Sequence, residues 1–68
     1  MKYEQGKLLE WRNAENKQIV WMVADNGTHG MVLHSDGLIS VGTITNLELL
    51  KEELKPFVGS VTISSTAN

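Results

Sequence analysis

Six consecutive apolar residues, Ile19-Val-Trp-Met-Val-Ala24, stand between Gln18 and the turn-forming tripeptide Asp25-Asn26-Gly27. The run is rich in β-branched and aromatic side chains and too short for a stable lone helix, so it reads as a β-strand. Alternation along a strand places Ile19, Trp21 and Val23 on one face and Val20, Met22 and Ala24 on the other. Both faces are apolar, as expected of a central strand covered on two sides. The rest of the chain is then constrained by one requirement: something must cover each face.

Upstream, Lys7–Asn13 alternates, with Leu9 and Trp11 on one side and Leu8, Glu10 and Arg12 on the other. A short Ala14–Asn16 link makes it an antiparallel neighbour of the central strand, and its charged side suits a sheet edge. Downstream, Asn26-Gly27 is a strong hairpin signal, since both residues tolerate the positive φ of a type I′ turn. Strand three is expected over His29–His34, with Met31 and Leu33 sharing a face and Val32 and His34 the other. Gly30 inside it suggests a bulge or a close backbone approach. Ser35-Asp36-Gly37 is a second turn signal, and Leu38–Ile44 reads as strand four of a meander.

Beyond Ile44 the periodicity changes. Thr45-Asn46-Leu47-Glu48 has the form of a capping box, and Leu47, Leu50 and Leu54 at i, i+3 and i+7 define the apolar stripe of a helix of about three turns. Pro56 disfavours helical geometry at Lys55 and ends it. Val58–Ser64 alternates again, with Val61 and Ile63 inward. The expected fold is α+β in the order β-β-β-β-α-β, a four-stranded antiparallel meander followed by one α-helix and a C-terminal strand. Residues 1–64 form a single small domain and 65–68 a polar tail. One short helix covers only one sheet face, so the other needs either curling of the sheet into a half-barrel or a partner.

The chain has 68 residues, and a domain of this size buries only roughly 60–65% of its unfolded surface. It has no cysteine, so neither disulfides nor thiolate zinc supplement its small core. That leaves self-association, most simply a homodimer, as the expected source of added stability, and the absence of cysteine suits a reducing, cytoplasmic setting. Six apolar residues in a row fall far short of the about 20 that a membrane-spanning helix needs. The Met1–Gly6 segment has no apolar stretch of a secretory signal behind it. A net charge of −2 argues against bulk attraction to nucleic acid or anionic lipid.

Candidate chemistry is sparse. His29 and His34 are five apart, an odd separation that points them to opposite faces of a regular strand and away from a shared metal. His34 and Asp36 are the one histidine–carboxylate pair expected on the same side. No serine lies in a Gly-x-Ser-x-Gly elbow, and the glycines lack the spacing of a phosphate-binding loop. The reading is therefore a non-enzymatic protein-interaction module without metal or cofactor, self-associating through an apolar sheet face or edge. Its expected interaction surface comprises Trp11, Arg12, Lys7, Lys17, Val20 and Met22. The alternative is sheet-based nucleic-acid binding, with Trp11 stacking on bases and Lys7, Arg12 and Lys17 meeting phosphates.

Overall fold

A computed structural model describes residues 3–50 and 52–61. Five strands form one antiparallel sheet: β1 (Leu8–Arg12), β2 (Gln18–Val23), β3 (His29–Ser35), β4 (Ile44–Asn46) and β5 (Lys55–Pro56). Their order is β4-β3-β2-β1-β5, so the apolar run occupies the middle of the sheet. The first four strands make the expected meander. β1 is not an edge, because β5 pairs with it at Leu9 and Glu10, and the Phe57 N–H continues the pairing to the Leu8 carbonyl at 3.0 Å.

Side-chain amides build the hairpin turns. Asn13 Oδ1 accepts from the N–H groups of Glu15 and Lys17 at 2.9 and 3.0 Å, and Asn16 takes a positive φ of 65°. Between β2 and β3, the Gly27 N–H donates to the Ala24 carbonyl at 3.0 Å, and Gly27 has φ 73°. Asn26 does not share that positive φ, so the turn is not type I′; it has the form of an ordinary turn closed by a left-handed glycine.

Residues opposite one another across a ladder share a face. One face carries Leu9, Ile19, Trp21, Val23 and Val32, and with Leu47 these form the buried core. Tyr3, Trp11, Ile39, Leu50 and Leu54 pack against its margins. The two tryptophans lie on this face but not opposite each other, since Trp21 faces Leu9 and Trp11 faces Ile19. Trp21 is 1% exposed. Gly30 is where the chain comes closest to it: a Cβ there would lie 3.1 Å from both Trp21 Cβ and Leu47 Cδ1.

The expected α+β fold is corrected. Among the described residues there is no α-helix; Leu47–Leu50 forms a single 3₁₀ turn and the architecture is a small all-antiparallel sheet. Thr45 is a strand residue whose buried hydroxyl has no hydrogen-bond partner, and the cap is Asn46, whose Oδ1 accepts from the Glu48 N–H at 3.0 Å. The physical reason lies in the length of the segment and in the Lys55-Pro56 pair at its end. A helix ended by Pro56 has too few residues to repay its nucleation, whereas Lys55-Pro56 gains pairing with β1 by extending. The chain turns instead, with Glu53 and Leu54 N–H groups both donating to the Leu50 carbonyl at 2.8 and 3.1 Å. Leu47 and Leu50 still meet the core because their spacing of three also suits a 3₁₀ turn, and Leu54 joins them from the turn that follows.

Strand four is also shorter and later than Leu38–Ile44. Ser35 Oγ accepts from the N–H groups of Leu38 and Ile39 at 3.0 and 3.1 Å, which winds that segment into a loop, and Gly37 and Gly42 take left-handed φ values of 84° and 93°. No strand forms over 58–61, and residues 62–64 of the expected C-terminal strand, like Lys51 and the 65–68 tail, lie outside the described residues. Phe57, Ser60 and Val61 instead line a cavity of about 170 Å³ with Gln18, Val20 and His34, placing the C-terminal segment across the second sheet face. Val20 beneath it is 1% exposed.

Leu47 and Leu49 give a direct test of this packing. Leu47 is 0% exposed and Leu49 80%, so Leu47→Ala is expected to cost about 2–5 kcal/mol and Leu49→Ala less than about 0.5 kcal/mol. Chemical denaturation of both variants checks the difference; equal midpoints would refute the 3₁₀ packing.

Candidate functional site

The second face of the sheet is where candidate interaction residues collect, and a bulge determines which ones. Val20 pairs with His34, but the next residue, Trp21, pairs with Val32, so Leu33 has no counterpart in β2. This extra residue inverts the alternation for the rest of β3. Met31 and Leu33 therefore do not form the expected same-face pair; Met31 shares its face with His34. His29 and His34, expected on opposite faces, are brought to the same one. They do not converge on a site, because the His29 ring is held at the hairpin by Thr28 and Asn26 while His34 meets Asp36. Among the described residues no group of three or more histidine or carboxylate side chains could hold a metal.

With that register, Leu8, Met22, Met31 and Ile44 lie side by side across β1, β2, β3 and β4. Met22 is 37% exposed and Ile44 60%, with Leu8 and Met31 half-buried between and beside them. Next to this apolar row lies a polar one. Glu10 Oε1 accepts from Arg12 Nε and from Gln18 Nε2, each at 3.1 Å. The Arg12 guanidinium also donates to the carbonyl and the side-chain oxygen of Asn16 at 3.3 Å. The row Leu8, Met31 and Ile44 escaped sequence reasoning because its continuity depends on the Leu33 bulge, for which the sequence shows no signal at that position.

The residues expected to form an interaction surface are dispersed. Trp11 is half-buried on the core face, whereas Arg12 points to the opposite face and is engaged by Glu10 and Asn16. Lys7 and Lys17 are exposed at opposite ends of the β1–β2 hairpin: the Lys7 carbonyl accepts from Val23 and the Lys17 carbonyl from Asn13. Val20 and Met22 share the second face, Val20 buried and Met22 partly open. Trp11 and Arg12 nonetheless border one depression with Glu10, Glu53 and Lys55, where two carboxylates offset the two cations, and Lys7 and Lys17 are not part of its lining.

The expected His34–Asp36 pair is present, with Nε2 and Oδ1 3.1 Å apart. Its other half explains it: Asp36 Oδ2 accepts from the Gln18 N–H at 2.9 Å, closing the exposed start of β2. That bond chiefly holds the Asp36 carboxyl below the ordinary aspartate value of 3.8, against a smaller desolvation effect and with help from His34. A carboxyl depressed by folding stabilises the fold above its unfolded pKa and loses that contribution as pH falls through the folded value. Any advantage of the native protein over Asp36→Asn is therefore expected in full at neutral pH and should shrink progressively as pH falls from 3.8 through the lower folded value. Thermal denaturation across that range checks it; a gap that widens on acidification would refute the assignment.

Compared with protein-family models, with curated proteins and with solved structures, the chain matches none.

Proposed function

We propose that this protein is a non-enzymatic interaction module that self-associates through the second face of its sheet. The observation that carries the reading is the row Leu8, Met22, Met31 and Ile44, apolar, cross-strand and partly open to solvent. Strands lie about 4.8 Å apart, so the row runs roughly 14 Å between its outer backbones. Methionine is unbranched and polarizable, and two methionines at the centre allow the row to adapt to an opposing copy of itself. A two-fold axis between Met22 and Met31 would set each row against its equivalent, the commonest arrangement for identical chains.

Magnitude limits the strength of such pairing. A stable interface buries about 800 Å² on each partner, and a patch of four partly covered residues offers a few hundred at most. The dimer is accordingly weak and dependent on concentration. Nucleic-acid binding is the weaker reading: Trp11 and Arg12 border one depression, but Glu10 and Glu53 line it with them and Lys7 and Lys17 do not. No helix among the described residues is long and apolar enough to cross a membrane.

Sedimentation equilibrium tests the proposal. The apparent mass should climb from 7.5 kDa towards twice that value as concentration rises into the millimolar range, and Met22→Lys or Ile44→Lys should hold it at 7.5 kDa. A native protein that stays at 7.5 kDa throughout would eliminate self-association.

A further inference from the structure

We infer that Asn26 is a latent site of self-modification, an asparagine whose deamidation the native β2–β3 hairpin holds off and unfolding releases. Asn26-Gly27 is the one Asn-Gly step in the chain. In such a step the backbone nitrogen of the glycine attacks the asparagine Cγ, unhindered by a side chain. The Gly27 nitrogen loses its proton, a nitrogen–Cγ bond forms, and the Cγ–Nδ2 bond breaks. Nδ2 leaves as ammonia after taking up a proton. Water then opens the five-membered imide at either carbonyl, giving aspartate or isoaspartate.

Each atom this reaction needs is engaged in the folded turn. The nucleophilic Gly27 N–H donates to the Ala24 carbonyl at 3.0 Å, and Gly27 is buried although Asn26 is exposed. The Gly27 carbonyl is held in turn by the Tyr3 N–H at 2.8 Å. The electrophilic amide is fixed by its oxygen, which accepts from the Thr28 N–H at 2.9 Å and the His29 N–H at 3.0 Å. Those bonds orient Nδ2 towards His29 Nδ1, 3.3 Å away. The same ring nitrogen lies 2.9 Å from the Thr28 hydroxyl, so the side-chain amide, the ring and the hydroxyl hold one another in place.

Two donors on Oδ1 also polarise Cγ, which by itself would favour attack. The Gly27 amide decides the balance: it has to break its bond to Ala24, lose its proton away from solvent and rotate onto Cγ while the side chain is pinned elsewhere. Reaction therefore waits for opening of the hairpin. Isoaspartate would not restore the turn, because it adds a methylene to the backbone of the turn itself, whereas aspartate keeps an oxygen to accept from the Thr28 and His29 N–H groups. A chain that has lingered unfolded would be marked irreversibly.

The test is peptide mapping by mass spectrometry of the full-length protein at neutral pH, folded in buffer and unfolded in guanidinium chloride. Deamidation at Asn26 should be slower in the folded protein by about tenfold or more, the protection expected when a hairpin must open first. Hydrogen exchange provides a second readout, in which the Gly27 amide should be protected in the folded protein. A folded-state rate that equals or exceeds the unfolded one would overturn the inference, and so would a Gly27 amide exchanging as fast as in the unfolded chain.

Discussion

The fold depends on the absence of one side chain. Trp21, the largest residue of the core, reaches full burial by packing where Gly30 leaves room on the neighbouring strand, and Leu47 enters the same space from the 3₁₀ turn. A Cβ at position 30 would lie 3.1 Å from both Trp21 Cβ and Leu47 Cδ1 and 3.2 Å from the Met22 carbonyl oxygen, so a side chain there would require these neighbours to give by a few tenths of an ångström. Close-packed interiors yield little to such insertions. The Leu47 N–H donates to the Thr28 carbonyl at 2.9 Å, so the same contact anchors the second half of the chain to the β2–β3 hairpin.

A second constraint comes from the unmatched residue Leu33. Without it, β3 would present Met31 and Leu33 to one face and the two histidines to opposite faces. With it, Met31 joins Met22 and Ile44 in a continuous apolar row, while Val32 stays under Trp21 in the core. One extra residue therefore separates the structural face from the open one. It also explains why the two ends of β3 serve different purposes, with His29 tied into the hairpin and His34 bound to Asp36.

Coverage of the two faces is unequal. The core face is closed by leucines of the 3₁₀ turn and its sequel, by Ile39 from the β3–β4 loop and by Tyr3 near the start of the chain. On the other, Phe57, Ser60 and Val61 reach across Val20 and leave the Met22–Met31–Ile44 stretch partly in water. β5, which delivers this segment, pairs at two residues only, and its Pro56 has no N–H to give. A short outer strand with a proline is a poor template for another chain's backbone.

The sequence by itself determined the central strand, its two apolar faces, its antiparallel neighbours and the positions of the β1–β2 and β2–β3 turns. These features are local, governed by alternation over six residues and by the turn chemistry of Asn13, Asn26 and Gly27. It also singled out the three leucines that close the core and the His34–Asp36 pair. The leucine spacing misleads because Leu47 and Leu50 fit both an α-helix and a 3₁₀ turn; competition with β1 for Lys55-Pro56 favours the turn, and that competitor lies more than forty residues away in the chain. Only the tertiary structure decided the register of β3, since a bulge reflects what must fit against Trp21 on the adjacent strand. The candidate surface was decided with it: Leu8, Met22, Met31 and Ile44 are scattered in sequence and brought together by strand pairing.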